Sequence, residues 1–119
     1  MKQGRKITGG KYHAFRKKKL YERQSQERTI ILGDTKKKQI RVRAGKNRTV
    51  LLRANSINLL IKGKVQKAEI KNVKETPQNR FWARQNRLLK GAIIETSLGK
   101  AKITNRPTQE GHINGILIE

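Results

Sequence analysis

Proton-transfer chemistry needs an imidazole, or carboxylates that converge on one atom, and this sequence supplies little of either. His13 and His112 are its only histidines; the first lies among basic residues, and the second sits in a Gly-flanked turn beside the single carboxylate of Glu110. The eight Asp and Glu residues are scattered singly. With no Cys there is no thiolate nucleophile, thiolate metal site or disulfide framework, a composition that suits a reducing compartment. No catalytic residue, metal or cofactor is therefore expected. Thr8-Gly9-Gly10-Lys11 has residue types found in phosphate cradles. It lacks the full spacing and the Ser/Thr of a P-loop, and no strand precedes it, so its backbone suits contact with a phosphate rather than nucleotide hydrolysis.

The chemistry present in quantity is cationic. Thirty Lys and Arg against eight Asp and Glu give a formal charge of +22 and a pI near 11.3. Compact folding at that charge works against self-repulsion, which a polyanion would relieve. Nucleic acid is the first candidate, because phosphate neutralisation releases condensed counterions whatever the base sequence. An anionic membrane surface is the second, and a merely solvated basic surface is the alternative that needs no partner. A pI above about 9 is the electrostatic footprint of a nucleic-acid binder.

At 119 residues, with 34% hydrophobic content and only five Phe, Tyr and Trp, one modest domain with a small core is expected, and part of the chain falls outside it. The longest nearly apolar stretch, Ile57 to Ile61, is interrupted by Asn58 and is far too short to span a membrane. Met1 is followed by basic and polar residues without an apolar signal region, so cytosolic residence is the expectation.

The charge is uneven along the chain. Residues 1–30 hold ten Lys and Arg against Glu22 and Glu27, whereas residues 81–119 hold six against three. Tyr12, Phe15 and Leu20 form only a partial helical stripe, because Arg16 and Lys19 occupy the positions that should complete it. Gly4, Gly9 and Gly10 loosen the backbone further. Residues 1–29 read as a basic arm that is disordered alone and takes its shape on a partner.

From Ile30 the pattern has period two. Ile40, Val42 and Ala44 alternate with Arg41 and Arg43; Val50, Leu52 and Ala54 share a face against Leu51 and Arg53; Ile57, Leu59 and Ile61 alternate with Asn58, Leu60 and Lys62. This reads as antiparallel strands with one buried face and one charged face. Over Lys64 to Lys74, Val65 and Val73 fall out of step with Ala68 and Ile70, which predicts a bulge. A helix is expected over Thr76 to Lys90, with Thr76 as N-cap and Pro77 at its first position. Its wheel sets Phe81, Trp82, Leu88 and Leu89 opposite Arg80, Arg84 and Arg87. For Trp82 a core or hinge anchor is favoured over base stacking, while the Arg stripe fits a solvated face and an RNA contact equally well.

Gly91 ends the helix and short strands return: Ala92, Ile94 and Thr96 on one face, Ala101 and Ile103 after a turn at Leu98-Gly99-Lys100, then Ile113 and Leu117. Pro107 blocks ladder pairing between the last two runs. The fold class is all-β: a small closed or partly open β-barrel with one short helix near 77–89 and a basic extended N-terminal arm. The domain division is an arm over 1–29 and a barrel domain over 30–119.

Two stretches carry a family resemblance. Gly4-Arg5-Lys6-Ile7-Thr8-Gly9-Gly10-Lys11 with Arg16-Lys17-Lys18-Lys19, and Lys90-Gly91-Ala92-Ile93-Ile94-Glu95-Thr96 with Leu98-Gly99-Lys100-Ala101-Lys102-Ile103-Thr104, resemble the small-subunit ribosomal protein S-eight-e family of archaea and eukaryotes. The tail is similar too, through Arg106-Pro107, Gln109-Glu110-Gly111, Asn114-Gly115 and Leu117-Ile118-Glu119, and the compact length resembles archaeal members. The resemblance implies a structural protein of the small subunit, with a β-barrel body and an N-terminal extension threaded along ribosomal RNA. On that basis Arg5, Lys6, Thr8, Gly9, Gly10, Lys11, Arg16, Lys17, Lys18 and Lys19 match the RNA-facing arm. One stretch departs: Tyr21-Glu22-Arg23-Gln24-Ser25-Gln26-Glu27-Arg28 stands where the family has a Gly and a Pro, which leaves the path from arm to barrel open.

The expected partners are small-subunit ribosomal RNA and neighbouring ribosomal proteins, without a membrane or a small-molecule substrate. The arm would neutralise phosphates, Tyr12, Phe15 or Tyr21 would stack on unpaired bases, and Lys36, Lys37, Lys38, Arg41, Arg43 and Arg53 would hold the barrel's charged face to the backbone of a neighbouring RNA helix. Two rival classes are a DNA-compacting protein, which would show little preference for structured RNA over duplex DNA, and a cationic membrane-active protein, which would need Thr76 to Lys90 as an amphipathic membrane helix.

Overall fold

The computed structural model describes residues 4–13, 15–24 and 26–118; Lys2, Ser25 and Glu119, which entered the reading of charge and resemblance, lie outside the described residues. Among the described residues the elements in chain order are β1 (Ile31–Leu32), β2 (Lys36–Arg41), β3 (Asn47–Ala54), β4 (Ser56–Ile61), β5 (Lys64–Glu75), α1 (Arg80–Arg84), β6 (Ile93–Thr96), β7 (Gly99–Ile103), α2 (Pro107–Glu110) and β8 (Asn114–Leu117).

Strands β4 to β8 close into a barrel in sequence order, and β1, β3 and β2 form a second, three-stranded sheet. Each neighbouring pair from β4 to β8 is antiparallel. An up-and-down path with an odd number of strands returns its last strand in the direction of its first, so closure has to be parallel. It is: β8 pairs with β4 through Asn58 with Asn114, Leu59 with Gly115, and Leu60 with Ile116. The all-β barrel is thus closed, with the strands before β4 set in a separate sheet.

Alternation puts the small apolar set inside. Ile57 and Leu59 of β4, Ile94 of β6, and Ala101 and Ile103 of β7 are buried, as the period-two reading requires. Ile30, Leu51 and Ala54 join the same cluster, so the second sheet is packed onto the barrel's core. Lys62 and Gly63, with φ of 46° and 79°, make the two-residue turn that joins Ile61 to Lys64. Positive φ at both positions matches the right-handed twist of the flanking strands. The bulge in β5 is present: pairing with β6 shifts between Ile70 and Asn72, which returns Val73 to the inside after Ala68 and Ile70.

Three local expectations are corrected. The alternation of Ile40, Val42 and Ala44 does not continue as strand, because β2 stops at Arg41 and Arg43–Gly45 is a tight turn with Ala44 at φ 60°. In β3, Lys36 faces Arg53 and Lys37 faces Leu51, so Leu52 is an extra residue in the ladder; Leu51 is buried and Leu52 only half-buried. The helix expected over Thr76 to Lys90 is reduced to Arg80–Arg84. Asn79, not Thr76, caps it, by accepting the Phe81 N–H at 2.9 Å. Thr76 is buried and its hydroxyl donates to the Asn79 carbonyl. Asn86, at φ 51°, then reverses the chain, and its side-chain oxygen accepts the Val73 N–H.

What replaces the rest of that helix joins the two sheets. The Leu88 N–H donates to the Ile30 carbonyl at 2.9 Å, the Leu32 N–H donates to the Asn86 carbonyl at 3.1 Å, and Ile31 bridges to Arg87. Pro107 does not keep the two runs apart, contrary to expectation: β7 and β8 pair antiparallel through Ala101 with Leu117, Lys102 with Ile116, and Ile103 with Gly115. Pro107 lies in the connection between them, where it starts α2, which Gly111 ends in the left-handed region at φ 72°.

Gly115 sits where the barrel closes. A Cβ there would lie 2.8 Å from the Lys102 carbonyl oxygen and 2.9 Å from Ile57 Cδ1. Its φ is outside the left-handed region, so the obstacle is steric, and the nearest atom is backbone that cannot turn aside. Gly115→Ala should cost about 1–3 kcal/mol through overpacking. Thermal unfolding followed by circular dichroism should drop by roughly 4–8 °C per kcal/mol. Gly4→Ala, with nothing within 4 Å, is the matched control and should leave the midpoint in place.

Candidate nucleic-acid interface

The arm keeps its apolar side chains in solvent. Ile7, Phe15, Leu20 and Tyr21 are 108%, 99%, 82% and 77% exposed. Its hydrogen bonds among the described residues stay within it, and the radius of gyration is 20.8 Å. A compact chain of this length would have about 13–14 Å. Near the arm's start the Lys6 N–H donates to the Gly10 carbonyl, the Gly9 N–H donates to the Lys6 carbonyl, both at 2.9 Å, and Arg5 bridges to Lys11. Gly9, at φ 80°, supplies the left-handed residue this turn requires. Arg5, Lys6, Thr8, Gly9, Gly10 and Lys11 are therefore gathered on one exposed loop, where the Lys6 ammonium stands 5.7 Å from the Tyr12 ring centre.

Arg16 is arranged differently from its neighbours. Its two Nη atoms donate to the Glu22 carboxylate at 2.8 and 2.5 Å, and the Lys19 N–H donates to the same carboxylate at 3.0 Å. The clamp holds the turn Leu20–Glu22 and leaves Lys17, Lys18 and Lys19 exposed outside it.

The second cationic group lies on the three-stranded sheet. Between Asp34 and Glu69 the sequence has eleven Lys and Arg and no acid. Lys36, Lys37 and Lys38 are exposed on β2, which is an edge strand, and Lys36 stands directly opposite Arg53. Like charges facing across a ladder are destabilising in isolation. Edge lysines also protect a strand from unwanted pairing, so these residues have a role in the chain by itself. Arg41 and Arg43 are exposed at the hairpin tip, together with Lys46 and Arg48, which the sequence reading did not select. Their signal was the turn itself: Ala44 and Gly45, both at positive φ, bring the two strand ends together. Arg48 Nε also donates to the Gln109 carbonyl at 3.1 Å, which ties the sheet to α2.

The Arg stripe is not one face. Arg80 and Arg84 are exposed on α1, but Arg87 lies beyond the helix, half-buried, with its guanidinium carbon 5.2 Å from the Trp82 ring centre. Phe81 is 62% exposed rather than packed, and Leu88 alone of the four predicted apolar positions is fully buried. A helix of five residues is also too short for the amphipathic membrane reading.

Two further acids, Glu95 and Glu110, belong to the barrel domain. Glu95 pairs with Lys74 at 3.1 Å across β5 and β6. Glu110 accepts the Asn105 amide at 2.9 Å, which together with the Arg106 N–H and nearby His112 and Lys90 holds its carboxyl below the ordinary range. His112 Nε2 is 3.8 Å from Glu110, and both are solvent-exposed.

The family model described as ribosomal protein S8e matches residues 1–118. A protein of Methanocorpusculum labreanum named small ribosomal subunit protein eS8 is 47% identical over 120 residues, covering 99% of this chain and 96% of its own. Proteins of the same name from Nanoarchaeum equitans and Methanococcus aeolicus are 42% and 45% identical, covering 99% and 96% of this chain and 94% and 91% of theirs.

The arm's clamp gives a prediction in pH. Arg16, and secondly the Lys19 N–H, hold the Glu22 carboxyl below its usual value. A depressed folded pKa stabilises the turn above the free-chain pKa, and that stabilisation is lost as pH falls through the folded value. NMR titration of the Glu22 side-chain carboxyl should therefore show a low midpoint that rises toward the ordinary glutamate value in Arg16→Gln, the Lys19 N–H retaining its smaller share. An unmoved midpoint would remove the clamp.

Proposed function

The chain belongs to the ribosomal protein S8e family, a structural constituent of the ribosome, and on that premise we propose that it binds small-subunit ribosomal RNA and stabilises the fold of that RNA during subunit assembly and translation. The observation that carries the reading is the arm. It holds cations, glycines and aromatic rings, yet its large apolar side chains are left in solvent, so it contributes nothing to the core. Such a segment has little role in an isolated protein and a direct one along a polyanion.

Two surfaces make the contact. The loop around Thr8, Gly9 and Gly10 brings bare backbone close to phosphate, and Lys17, Lys18 and Lys19 neutralise charge further along the same strand. The hairpin of β2 and β3 presents Lys36, Lys37, Lys38, Arg41, Arg43 and Arg53, with Lys46 and Arg48, to the backbone of an adjacent RNA helix. Phosphate contacts of this kind position a protein without reading bases. Arg16 then acts mainly through Glu22, by fixing the direction in which the arm leaves its turn. The division into an arm over 1–29 and a barrel domain over 30–119 follows the same logic. The barrel is the scaffold, and its other neighbours are ribosomal proteins of the small subunit in the cytoplasm.

Sedimentation of a native extract should place the protein with the small subunit before and after a high-salt wash, and its recovery only in free or DNA-bound fractions would overturn the proposal. In binding assays with ribosomal RNA fragments, replacing Lys17, Lys18 and Lys19 by Gln should flatten the plot of log affinity against log salt. The expected change in slope is about two to three, from roughly 0.7–0.9 per phosphate contact. An unchanged slope would take these residues out of the interface.

A further inference from the structure

Trp82 is the only tryptophan of the chain, and it is neither a core residue nor a free surface ring. It carries the Arg87 guanidinium at 5.2 Å and also borders a cavity of about 220 Å³. Leu88, Leu89 and Pro107 complete the apolar wall, and Lys90 and Arg106 supply positive charge. The wall is held in place before any ligand arrives. Leu88 and Pro107 are fully buried, Leu88 is hydrogen-bonded to Ile30, and the Gln78 side chain, also in the lining, donates to the Lys90 carbonyl. Among the described residues neither the Lys90 nor the Arg106 side chain has a carboxylate within 4 Å, although Glu110, which accepts the Arg106 N–H at 3.4 Å, is near enough for Lys90 to lower its pKa.

Size, flatness and charge select the occupant. The cavity is below the range of about 300–1,000 Å³ typical of drug-sized ligands, so it suits one ring system rather than an extended molecule. An indole backed by a guanidinium is a stacking platform for any base, and flanking cations meet the phosphates on either side. A base held in a duplex cannot enter, because both of its faces are already stacked. We propose that this cavity receives a single unpaired nucleobase of an RNA strand, stacked on Trp82, with Arg106 and Lys90 on the flanking phosphates. This site rests on the RNA-binding reading and adds to it a register mark that the arm and hairpin cannot provide.

The test uses the full chain, a dye-labelled hexa-adenylate and a short blunt RNA duplex, followed by anisotropy and by Trp82 fluorescence. Hexa-adenylate should quench Trp82 and the duplex should not. Trp82→Leu should weaken single-strand binding about 5- to 100-fold while duplex binding stays unchanged, and Trp82→Phe should restore most of the loss. Arg106→Gln, at an exposed position that does not risk the fold, should weaken the single strand selectively. If hexa-adenylate binds with no quenching and with equal affinity for the Trp82 variants, or if the duplex quenches as strongly, the cavity is not a base site while RNA binding stands. If neither RNA binds, the functional reading fails and the site with it.

Discussion

Charge against core is the constraint from which the other features follow. A chain at +22 with 34% hydrophobic residues cannot distribute both evenly and still fold, because every cation placed near the interior would need a partner and only eight acids are present. The structure separates them along the sequence. The buried cluster runs from Ile30 to Ile113, and the described residues before it contribute none of its members. The barrel then achieves closure with short strands and small side chains: Ala68, Ala92 and Ala101 line the interior beside Ile and Leu, and Gly115 is required where β8 passes Ile57 and the Lys102 carbonyl. An interior this narrow has room for side chains and not for a ligand, which leaves function to the outside of the molecule.

The second sheet shows how a small barrel can carry a large charged surface. Its strand β3 gives Leu51 and Ala54 to the shared core and receives α2 on its flank, where Thr49 lies against Gly111. Its edge strand β2 gives almost nothing to the core, and four of its six residues are cations. Burial of one strand thus holds the other in a fixed place, and the repulsion between Lys36 and Arg53 is offset by packing that neither residue makes. Lysines displayed by a rigid hairpin lose less freedom on meeting phosphate than the same lysines on an open chain, so in the proposed interface the hairpin and the arm would bring different entropy.

Much of this was legible in the sequence, and the gaps have physical causes. Period-two alternation located β4, β6 and β7 and their inward residues, because each has one face in the core. It failed in β3, where the extra residue Leu52 moves side chains to the opposite face, a change that depends on pairing with β2 and not on the strand's own pattern. The helix over Thr76 to Lys90 was over-extended for a similar reason. Its second half has helical periodicity, but residues 86–88 find partners in residues 30–32, some fifty positions away, and those long-range hydrogen bonds outweigh local propensity. Arg87 consequently left the predicted Arg stripe for the Trp82 ring. Among the candidate contacts, the arm and the Lys36 to Lys38 run were visible as charge alone, whereas Lys46 and Arg48 joined the hairpin's surface only through its pairing, which sets Arg48 opposite Ile40.

That long-range pairing also places the Trp82 cavity at the root of the arm. Ile30, where the arm ends, is hydrogen-bonded to Leu88, and Ile31 bridges to the residue whose guanidinium covers Trp82. Stacking of one base is worth about 1–3 kcal/mol, weaker than a millimolar complex, so a cavity of this size could not hold RNA unaided. Beside an arm bound along the same strand, the base would be presented at an effective concentration in the millimolar range, so the weak site would fill in part without a separate encounter. The division of labour then has a physical order. On the proposed reading, cations would collect the RNA without regard to register, because phosphates repeat along the strand. The ring at the arm's root stops the sliding at the position where a base is unpaired.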